Sequence, residues 1–207
     1  MTATPSPRLI LASGSPYRRE LLQRLRLPFD VIVPDIDETP RPGELPQETA
    51  IRLAFEKAAA VGKKHPGTIV IGSDQVATLD NRQIGKPHTH DNAMKQLVTM
   101  RGRCVIFHTA LCVWDGRQLN PEKTAQTANV QTAATFRNLP EAEFDAYLHA
   151  ETPYDCAGSA RNEALGIILL EKIESTDPTA LTGLPLITLT TMLRHCGISF
   201  FPESPHI

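Results

Sequence analysis

The side chains best suited to chemistry in this sequence are basic and acidic residues that follow short apolar segments. The first group lies in Ser13-Gly14-Ser15-Pro16-Tyr17-Arg18-Arg19, directly after the apolar segment Leu9-Ile10-Leu11-Ala12. Because Ser15 can cap a helix and Pro16 suits the first helical position, the sequence predicts a strand, a tight turn and a helix N-terminus. The N–H groups and the positive dipole end of such a helix favour the binding of a phosphate group.

Arg18 is the most informative residue of this turn. The predicted helix has an apolar face that consists of Leu21, Leu22 and Leu25. Helical spacing places Arg18 on this inward face and Arg19 on the opposite one. A cation on an inward face needs an anion. That anion is either the phosphate of a ligand or a carboxylate such as that of Glu38 or Asp74.

A second inward cation is predicted on a long helix over residues 45–64. Its apolar stripe consists of Ala50, Leu53, Ala54, Ala58 and Val61. Lys57 lies within this stripe, four residues from both Leu53 and Val61. Its side chain either buries its stem and keeps the amine in water, or reaches an anionic ligand.

The most strand-like segment, Thr68-Ile69-Val70-Ile71-Gly72, leads into Ser73-Asp74-Gln75. Polar residues beyond the carboxyl end of a central strand lie where α/β sheets bind ligands, so Asp74 is a candidate catalytic carboxylate. The alternative is an aspartate that caps a turn. A hairpin predicted over residues 76–84 then leads to Gly85-Lys86-Pro87, where glycine permits a close approach of the backbone to a ligand.

Two short segments contain side chains that can bind metal ions. Pro34-Asp35-Ile36-Asp37-Glu38 follows a strand predicted over residues 28–33, and its carboxylates suit a hard divalent cation or a solvated loop. His88-Thr89-His90 has the composition of a metal site, but it lacks a further histidine nearby in the sequence. We therefore favour the interpretation that Thr89 begins a helix over residues 91–100.

Bulk properties exclude several classes of protein. The net charge of −2 leaves no basic surface for duplex nucleic acid. No apolar run approaches the ~20 residues of a membrane span, and residues 1–7, which lack an apolar segment, are expected to be a short N-terminal extension. The cysteines show no C-x-x-C spacing, which favours reduced thiols and the cytoplasm over disulfides or zinc.

The pattern of elements indicates the fold class. Strands and helices alternate at first, and residues 103–114 and 124–136 then alternate as two long antiparallel strands. A helix over residues 140–150, a strand over 167–173 and a final helix starting at Gly183-Leu184-Pro185 complete the prediction. We therefore expect an α/β protein with a mixed sheet and a cleft.

Seven short segments, in order, closely resemble the Maf-type nucleotide pyrophosphatases. They are Ala12-Ser13-Gly14-Ser15-Pro16-x-Arg18, Asp37-Glu38-Thr39, Glu56-Lys57-Ala58, Gly72-Ser73-Asp74, Gly85-Lys86-Pro87, Ala157-Gly158-Ser159 and Gly183-Leu184-Pro185. The resemblance implies a single domain over residues 1–207, with an elongated mixed sheet, flanking helices and a central cleft, like the inosine triphosphate pyrophosphatases. It also implies a tendency to form homodimers.

Members of this family split a nucleoside triphosphate into a monophosphate and pyrophosphate with a divalent metal, Mg²⁺ or Mn²⁺. By position, the resemblance implies that Asp74 is the general base and that Glu38 helps to bind the metal. The residues that it implies for the triphosphate are Ser13, Arg18, Lys57 and Lys86.

The resemblance also implies which nucleobase the substrate carries, through three positions: Tyr17, Gln75 and Glu163. The family branch that acts on dTTP and UTP typically has Arg, Thr and Gln there, whereas the branch that acts on 7-methyl-GTP has Trp, Gln and Glu. An aromatic face attracts the positive charge of 7-methylguanine, and a carboxylate accepts hydrogen bonds from its N1–H and 2-amino groups. The resemblance thus implies 7-methyl-GTP, although Tyr17 departs from Trp. Without the family resemblance, we would interpret Tyr17 as a packing residue and Glu163 as a solvated charge.

Two other functions remain open at this stage. One is hydrolysis of dTTP and UTP by the same chemistry. The other is a nucleotide-binding regulator of cell division that needs no hydrolysis.

Overall fold

The computed structural model describes residues 7–201, so most of the predicted N-terminal extension lies outside the described residues. The strands are β1 (Leu9–Ala12), β2 (Phe29–Val31), β3 (Ile69–Leu79), β4 (Arg82–Ile84), β5 (Cys104–Asp115), β6 (Gln126–Phe136) and β7 (Leu170–Ser175). The helices are α1 (Pro16–Gln23), α2 (Pro46–Gly62), α3 (His90–Met100), α4 (Pro121–Thr124), α5 (Glu141–Glu151) and α6 (Leu186–His195). The predicted α/β class is confirmed.

All strands belong to one mixed sheet with the order β2-β1-β3-β5-β6-β7, and β4 pairs with β3. β1 runs parallel to both β2 and β3, while β3, β5, β6 and β7 form antiparallel pairs. The 12 residues of β5 extend the sheet over about 40 Å. This long antiparallel region accounts for the elongated form of the sheet.

Asp74 lies inside β3, and not beyond the end of a strand as the sequence predicts. β1 ends at Ala12, which pairs with Gly72. β3 nevertheless continues to Leu79 because its other edge pairs with β5, with Asp74 opposite Ala110. Asp74 therefore lies where the parallel partner ends, and its backbone is fixed by the antiparallel partner.

Helices cover the parallel part of the sheet on both faces. Because strand side chains alternate between faces, Leu9 and Leu11 pack with α1 and α6, whereas Ile10 and Ala12 pack with α2. A separate core, which includes Phe107, lies under α3 and α5 at the other end of the sheet. The cleft described below is lined by residues from both ends of the sheet.

Two predictions about the C-terminal part are wrong in detail. The strand predicted over residues 167–173 begins as a 3₁₀ turn at Leu165–Leu169, and β7 starts only at Leu170. In this turn the N–H of Gly166 donates to the carbonyl of Arg161 at 2.9 Å, a contact that apolar spacing does not reveal. The final helix starts at Leu186, since Gly183 has a φ of 111° that no helix accommodates.

The other predicted helices agree with the structure to within a few residues, and Ser15 caps α1 as expected. None of the helices within residues 7–201 is long and apolar enough to cross a membrane.

Candidate active site

One cleft of about 600 Å³ brings together all nine side chains to which the family resemblance assigns a role. Its lining includes Ser13, Tyr17, Arg18, Glu38, Lys57, Asp74, Gln75, Lys86 and Glu163. These residues come from α1, α2, β3 and four loops, and they are separated by up to 150 positions in the chain. The shared location agrees with a common role, and the individual roles remain predictions.

The cleft contains a buried ion pair between Lys57 and Asp74. The Lys57 ammonium lies 2.7 Å from Asp74 Oδ1 and 2.9 Å from Glu38 Oε1. The side chain of Lys57 is only 7% exposed, so the alternative in which its amine extends into water is wrong. Within residues 7–201 the second oxygen of Asp74, Oδ2, accepts no hydrogen bond and remains free to accept one in the cleft.

Gly72 explains how Lys57 reaches Asp74. A Cβ at this position would lie 2.2 Å from the carbonyl oxygen of Ala54 and 2.8 Å from the amide nitrogen of Ala58. Glycine therefore permits α2 to pack against β3 at backbone distance. This close approach places the buried face of α2, on which Lys57 lies, directly over the strand that carries Asp74.

The loop that carries Glu38 is held against α2 by Arg52. The Arg52 guanidinium donates to Glu44 at 2.6 and 2.8 Å, to Glu56 at 3.0 Å and to the carbonyl of Thr39 at 3.2 Å. Its hydrogen bonds lower the pKa of Glu44 to about 2. The exposed carboxylate of Glu38 thus belongs to an anchored loop, and not to a free one.

Arg18 has partners of a different kind. Its Nε donates to the carbonyl of Gly183 at 2.9 Å, and its Nη1 donates to Ser13 Oγ at 3.3 Å. Among the described residues no carboxylate lies within ion-pairing distance of this guanidinium. Burial lowers the pKa of Arg18, but an arginine remains charged at neutral pH. Of the two inward cations, Lys57 is therefore the one that pairs with carboxylates. The remaining N–H donors of Arg18 are free for a ligand.

The cationic end of the cleft is the set of side chains predicted to bind the triphosphate: Arg18, Lys57, Ser13 and Lys86. Ser13 Oγ accepts from the N–H of Ser15 at 3.1 Å and from Arg18, so its own hydroxyl proton is free to be donated. Lys86 is exposed at the cleft. Its loop is fixed on both sides, because Gln96 donates to the carbonyl of Gly85 at 3.0 Å and the N–H of His88 donates to the carbonyl of Tyr154 at 3.0 Å.

Gln75 presents an acceptor to the cleft. Its side-chain nitrogen donates to Thr109 Oγ1 at 2.9 Å and lies 3.1 and 3.0 Å from the carbonyls of Ala180 and Leu181. Because two carbonyls can only accept, the orientation of the amide is determined by its surroundings. The Gln75 carbonyl oxygen is consequently the atom available for a ligand.

Tyr17 already has a cationic neighbour. The guanidinium carbon of Arg161 lies 5.6 Å from the centre of the Tyr17 ring, and Arg161 is itself paired with Glu151 at 2.8 Å and Asp155 at 3.3 Å. The Arg161 side chain covers one face of the aromatic ring. A planar ligand would therefore stack on the other face.

Glu163 lies at the rim of the cleft, and its environment favours the neutral form. Although the side chain remains in contact with solvent, the surrounding protein removes enough water to raise the pKa of this carboxyl. The nearby positive charge of Arg161 opposes this effect. A ligand with N–H donors would compensate for the water that the carboxylate has lost.

Arg52 and Arg161 are positioning residues that the sequence reasoning missed. A signal existed for Arg52, which precedes its partner Glu56 by one helical turn. No comparable signal exists for Arg161, because Tyr17 lies 144 positions earlier in the chain.

The chain matches the family model described as Maf-like protein over residues 8–196. It is 63% identical over 201 residues to a protein of Cupriavidus metallidurans named 7-methyl-GTP pyrophosphatase, covering 97% of this chain and 99% of the relative. A protein of Ralstonia nicotianae with the same name is 62% identical over 195 residues, covering 94% of this chain and 98% of the relative.

Among solved structures, a HAM1 protein from Coxiella burnetii has the same fold, with a TM-score of 0.51 and 16% identity over 92% of this chain and 100% of that chain. The predicted fold class is thereby confirmed. Because the family model matches nearly the whole length of the chain, the protein belongs to the Maf family.

Proposed function

We propose that this protein is a nucleoside triphosphate pyrophosphatase that hydrolyses 7-methyl-GTP to 7-methyl-GMP and pyrophosphate. The observation that carries the proposal is one cleft whose lining combines the cationic end, Asp74 and the base-binding end, which consists of Tyr17, Gln75 and Glu163. The names of the close relatives support the same substrate. Such an activity removes a modified nucleotide from the nucleotide pool.

The cationic end suits a triphosphate. A polyphosphate chain repels an attacking water or hydroxide until its charge is neutralised. The free donors of Arg18, the hydroxyl of Ser13 and the exposed ammonium of Lys86 can bind phosphate oxygens. Lys57 contributes positive charge directly beside Asp74.

Asp74 is the general base in this proposal. Its Oδ1 is held by Lys57, and its Oδ2 is free to accept a proton from water. The activated water attacks the α-phosphorus, the bond between the α-phosphorus and the bridging oxygen breaks, and pyrophosphate leaves. Because Lys57 holds Oδ1, the carboxylate is oriented, and the lone pairs of Oδ2 stay available to accept the proton.

The residues present fit a hard divalent cation. The Lys57 ammonium contacts only Oε1 of Glu38, so the second carboxylate oxygen of this residue is available to Mg²⁺ or Mn²⁺, which prefer oxygen ligands. One carboxylate leaves most coordination positions to water and phosphate oxygens, as is usual for Mg²⁺ at a phosphate site. A bound cation would supply charge neutralisation for the phosphates.

The base-binding end suits a cationic purine. The open face of Tyr17 can stack on 7-methylguanine, and the Gln75 carbonyl oxygen and the Glu163 carboxylate can accept its N–H donors. A pyrimidine offers no matching edge with two adjacent donors. Since Tyr17 lies beside Arg161, the paired carboxylates of Glu151 and Asp155 must offset the second positive charge.

A substrate panel tests this proposal. Release of pyrophosphate is measured from 7-methyl-GTP, GTP, dTTP and UTP under the same conditions. We expect the highest kcat/KM for 7-methyl-GTP. A preference for dTTP and UTP would instead identify the pyrimidine-specific activity of the family, and nucleotide binding without any hydrolysis would favour the regulator of cell division.

The cellular context belongs to the same proposal. The four cysteines described in the structure are free thiols, in agreement with a reducing compartment such as the cytoplasm. The homodimer that the family resemblance implies is tested by light scattering.

A further inference from the structure

Three side chains that can bind a metal ion converge between α3 and α5, outside the lining of the active-site cleft. His90 Nε2 lies 2.9 Å from Asp145 Oδ1, and His149 Nε2 lies 3.6 Å from the same oxygen. The two imidazole rings are stacked with their centres 4.7 Å apart. The ligand atoms of these three residues all lie within 4.8 Å of one another.

Tyr154 supports His90 from the side opposite Asp145. The Tyr154 hydroxyl lies 3.4 Å from the carbonyl of Leu148 and 3.2 Å from His90 Nδ1. In one tautomer of His90, Nε2–H donates to Asp145 Oδ1, 2.9 Å away, and Nδ1 accepts from Tyr154. In the other tautomer, Nδ1–H donates to the Tyr154 hydroxyl, which itself donates to Leu148, and the lone pair of Nε2 faces Asp145. This second arrangement is the one that a metal ion between Nε2 and the carboxylate requires.

Two of the three separations are close to those of a metal site, and the third, between the two histidine nitrogens, is within 4.8 Å. Ligand atoms around a tetrahedral ion with bonds of about 2.0–2.1 Å lie about 3.3 Å apart. The observed 2.9 and 3.6 Å lie on either side of this value, and α5 supplies Asp145 and His149 from adjacent turns of one face. The Tyr154 hydroxyl serves as the outer hydrogen-bond partner that metal-binding histidines usually have.

We propose that His90, Asp145 and His149 form a binding site for a divalent transition metal such as Zn²⁺, with solvent in the fourth position. Two imidazoles and one carboxylate suit Zn²⁺, Co²⁺ or Ni²⁺ and disfavour Mg²⁺, which requires oxygen ligands. The site is therefore chemically different from the carboxylate pair of Glu38 and Asp74.

Its location links two borders of the active-site cleft. His90 begins α3 directly after the loop that carries Lys86, and Tyr154 precedes two residues of the cleft lining, Asp155 and Cys156. A metal at this position fastens α3 to α5. We infer that it stabilises the arrangement of both loops.

Calorimetric titration with ZnCl₂ tests the site on the full chain, after removal of metals with EDTA and dialysis, and without nucleotide. We expect one equivalent of Zn²⁺ to bind to the wild type and this heat to disappear in His90→Ala and His149→Ala. Tyr154→Phe should weaken Zn²⁺ by about tenfold, since it removes only the outer hydrogen bond. Asp145→Asn should weaken it further, because it removes the anionic ligand.

Two control variants distinguish this site from other metal binding. His65→Ala removes a histidine elsewhere on the surface, and Glu38→Gln removes a carboxylate of the active site; both should bind Zn²⁺ like the wild type. Thermal unfolding with and without Zn²⁺ gives a second readout, because the metal should raise the Tm of the wild type but not that of His149→Ala.

Equal Zn²⁺ affinity in the wild type, His90→Ala and His149→Ala would place the metal elsewhere and overturn the proposal. Absence of Zn²⁺ binding to the wild type would also overturn it, leaving a proton as the only cation between His90 and Asp145. Both results are independent of whether 7-methyl-GTP is hydrolysed.

Discussion

The ammonium of Lys57 is held 2.7 Å from Asp74 Oδ1, inside a cleft whose second inward cation, the half-buried Arg18, donates only to a hydroxyl and a carbonyl of the described residues. The two cations are therefore not equivalent. Lys57 is already matched to carboxylates, whereas Arg18 keeps donors free for an anion from outside. On this difference we base the two proposed roles, in which Lys57 orients the general base and Arg18 binds phosphate.

Replacing Asp74 by asparagine should abolish most turnover without preventing binding. Asparagine retains the shape of the side chain but cannot take a proton from water, so we expect kcat for 7-methyl-GTP to fall at least ~100-fold. Calorimetry of 7-methyl-GTP binding to the variant checks that the cleft is intact. Asp30→Asn, on the exposed edge strand β2, is the control and should keep wild-type turnover. Unchanged turnover in Asp74→Asn would exclude Asp74 as the base.

Replacing Lys57 by methionine should reduce both stability and activity. The variant leaves the buried Asp74 carboxylate without its cation, which typically costs about 3–5 kcal/mol of unfolding free energy. The double variant Lys57→Met/Asp74→Leu replaces the pair by apolar groups, and we expect it to recover most of this stability while remaining inactive. Urea denaturation measures the first effect and pyrophosphate release the second. Equal unfolding free energies for Lys57→Met and the wild type would show that the pair is not effectively buried.

Replacing Glu163 by glutamine should reduce the preference for 7-methyl-GTP over UTP by about ten- to a hundredfold, the worth of charged hydrogen bonds. The measurement is the ratio of kcat/KM values for the two nucleotides. Glu171→Gln, on the exposed surface of β7, is the matched control. An unchanged ratio in Glu163→Gln would contradict the proposed contact with guanine.

The selectivity should also depend on pH through Glu163. Because desolvation raises the pKa of this carboxyl, its ionised form is lost at a higher pH than for an ordinary glutamate as the solution is acidified. The preference for 7-methyl-GTP should decline through that range in the wild type and stay flat in Glu163→Gln. A raised pKa also means that ionised Glu163 opposes folding at neutral pH, so Glu163→Gln should not be less stable than the wild type.

Chelation of divalent cations by EDTA should abolish hydrolysis, because no cation held by Glu38 would then neutralise the phosphates. Addition of Mg²⁺ or Mn²⁺ in excess of the chelator should restore it. Far-ultraviolet circular dichroism in EDTA checks that the fold survives. Full activity in EDTA would remove the metal from the proposed mechanism.

The sequence alone determined which residues face inward. Helical spacing identified Arg18 and Lys57 as cations on buried faces, and the Ser15-Pro16 pair identified the start of α1. The resemblance to Maf-type proteins added Tyr17, Ser13, Gln75, Lys86 and Glu163, all of which line the same cleft. These inferences succeeded because periodicity, capping and short motifs are local properties of the chain.

Only the tertiary structure decided which of these residues meet. Lys57 pairs with Asp74 because Gly72 lets α2 lie against β3, and Arg161 covers Tyr17 although most of the chain separates them. Likewise, His90 has no sequence neighbour that completes a metal site, yet α5 brings His149 beside it. Contacts of this kind depend on the order of strands and on how closely elements pack, and no local pattern encodes either.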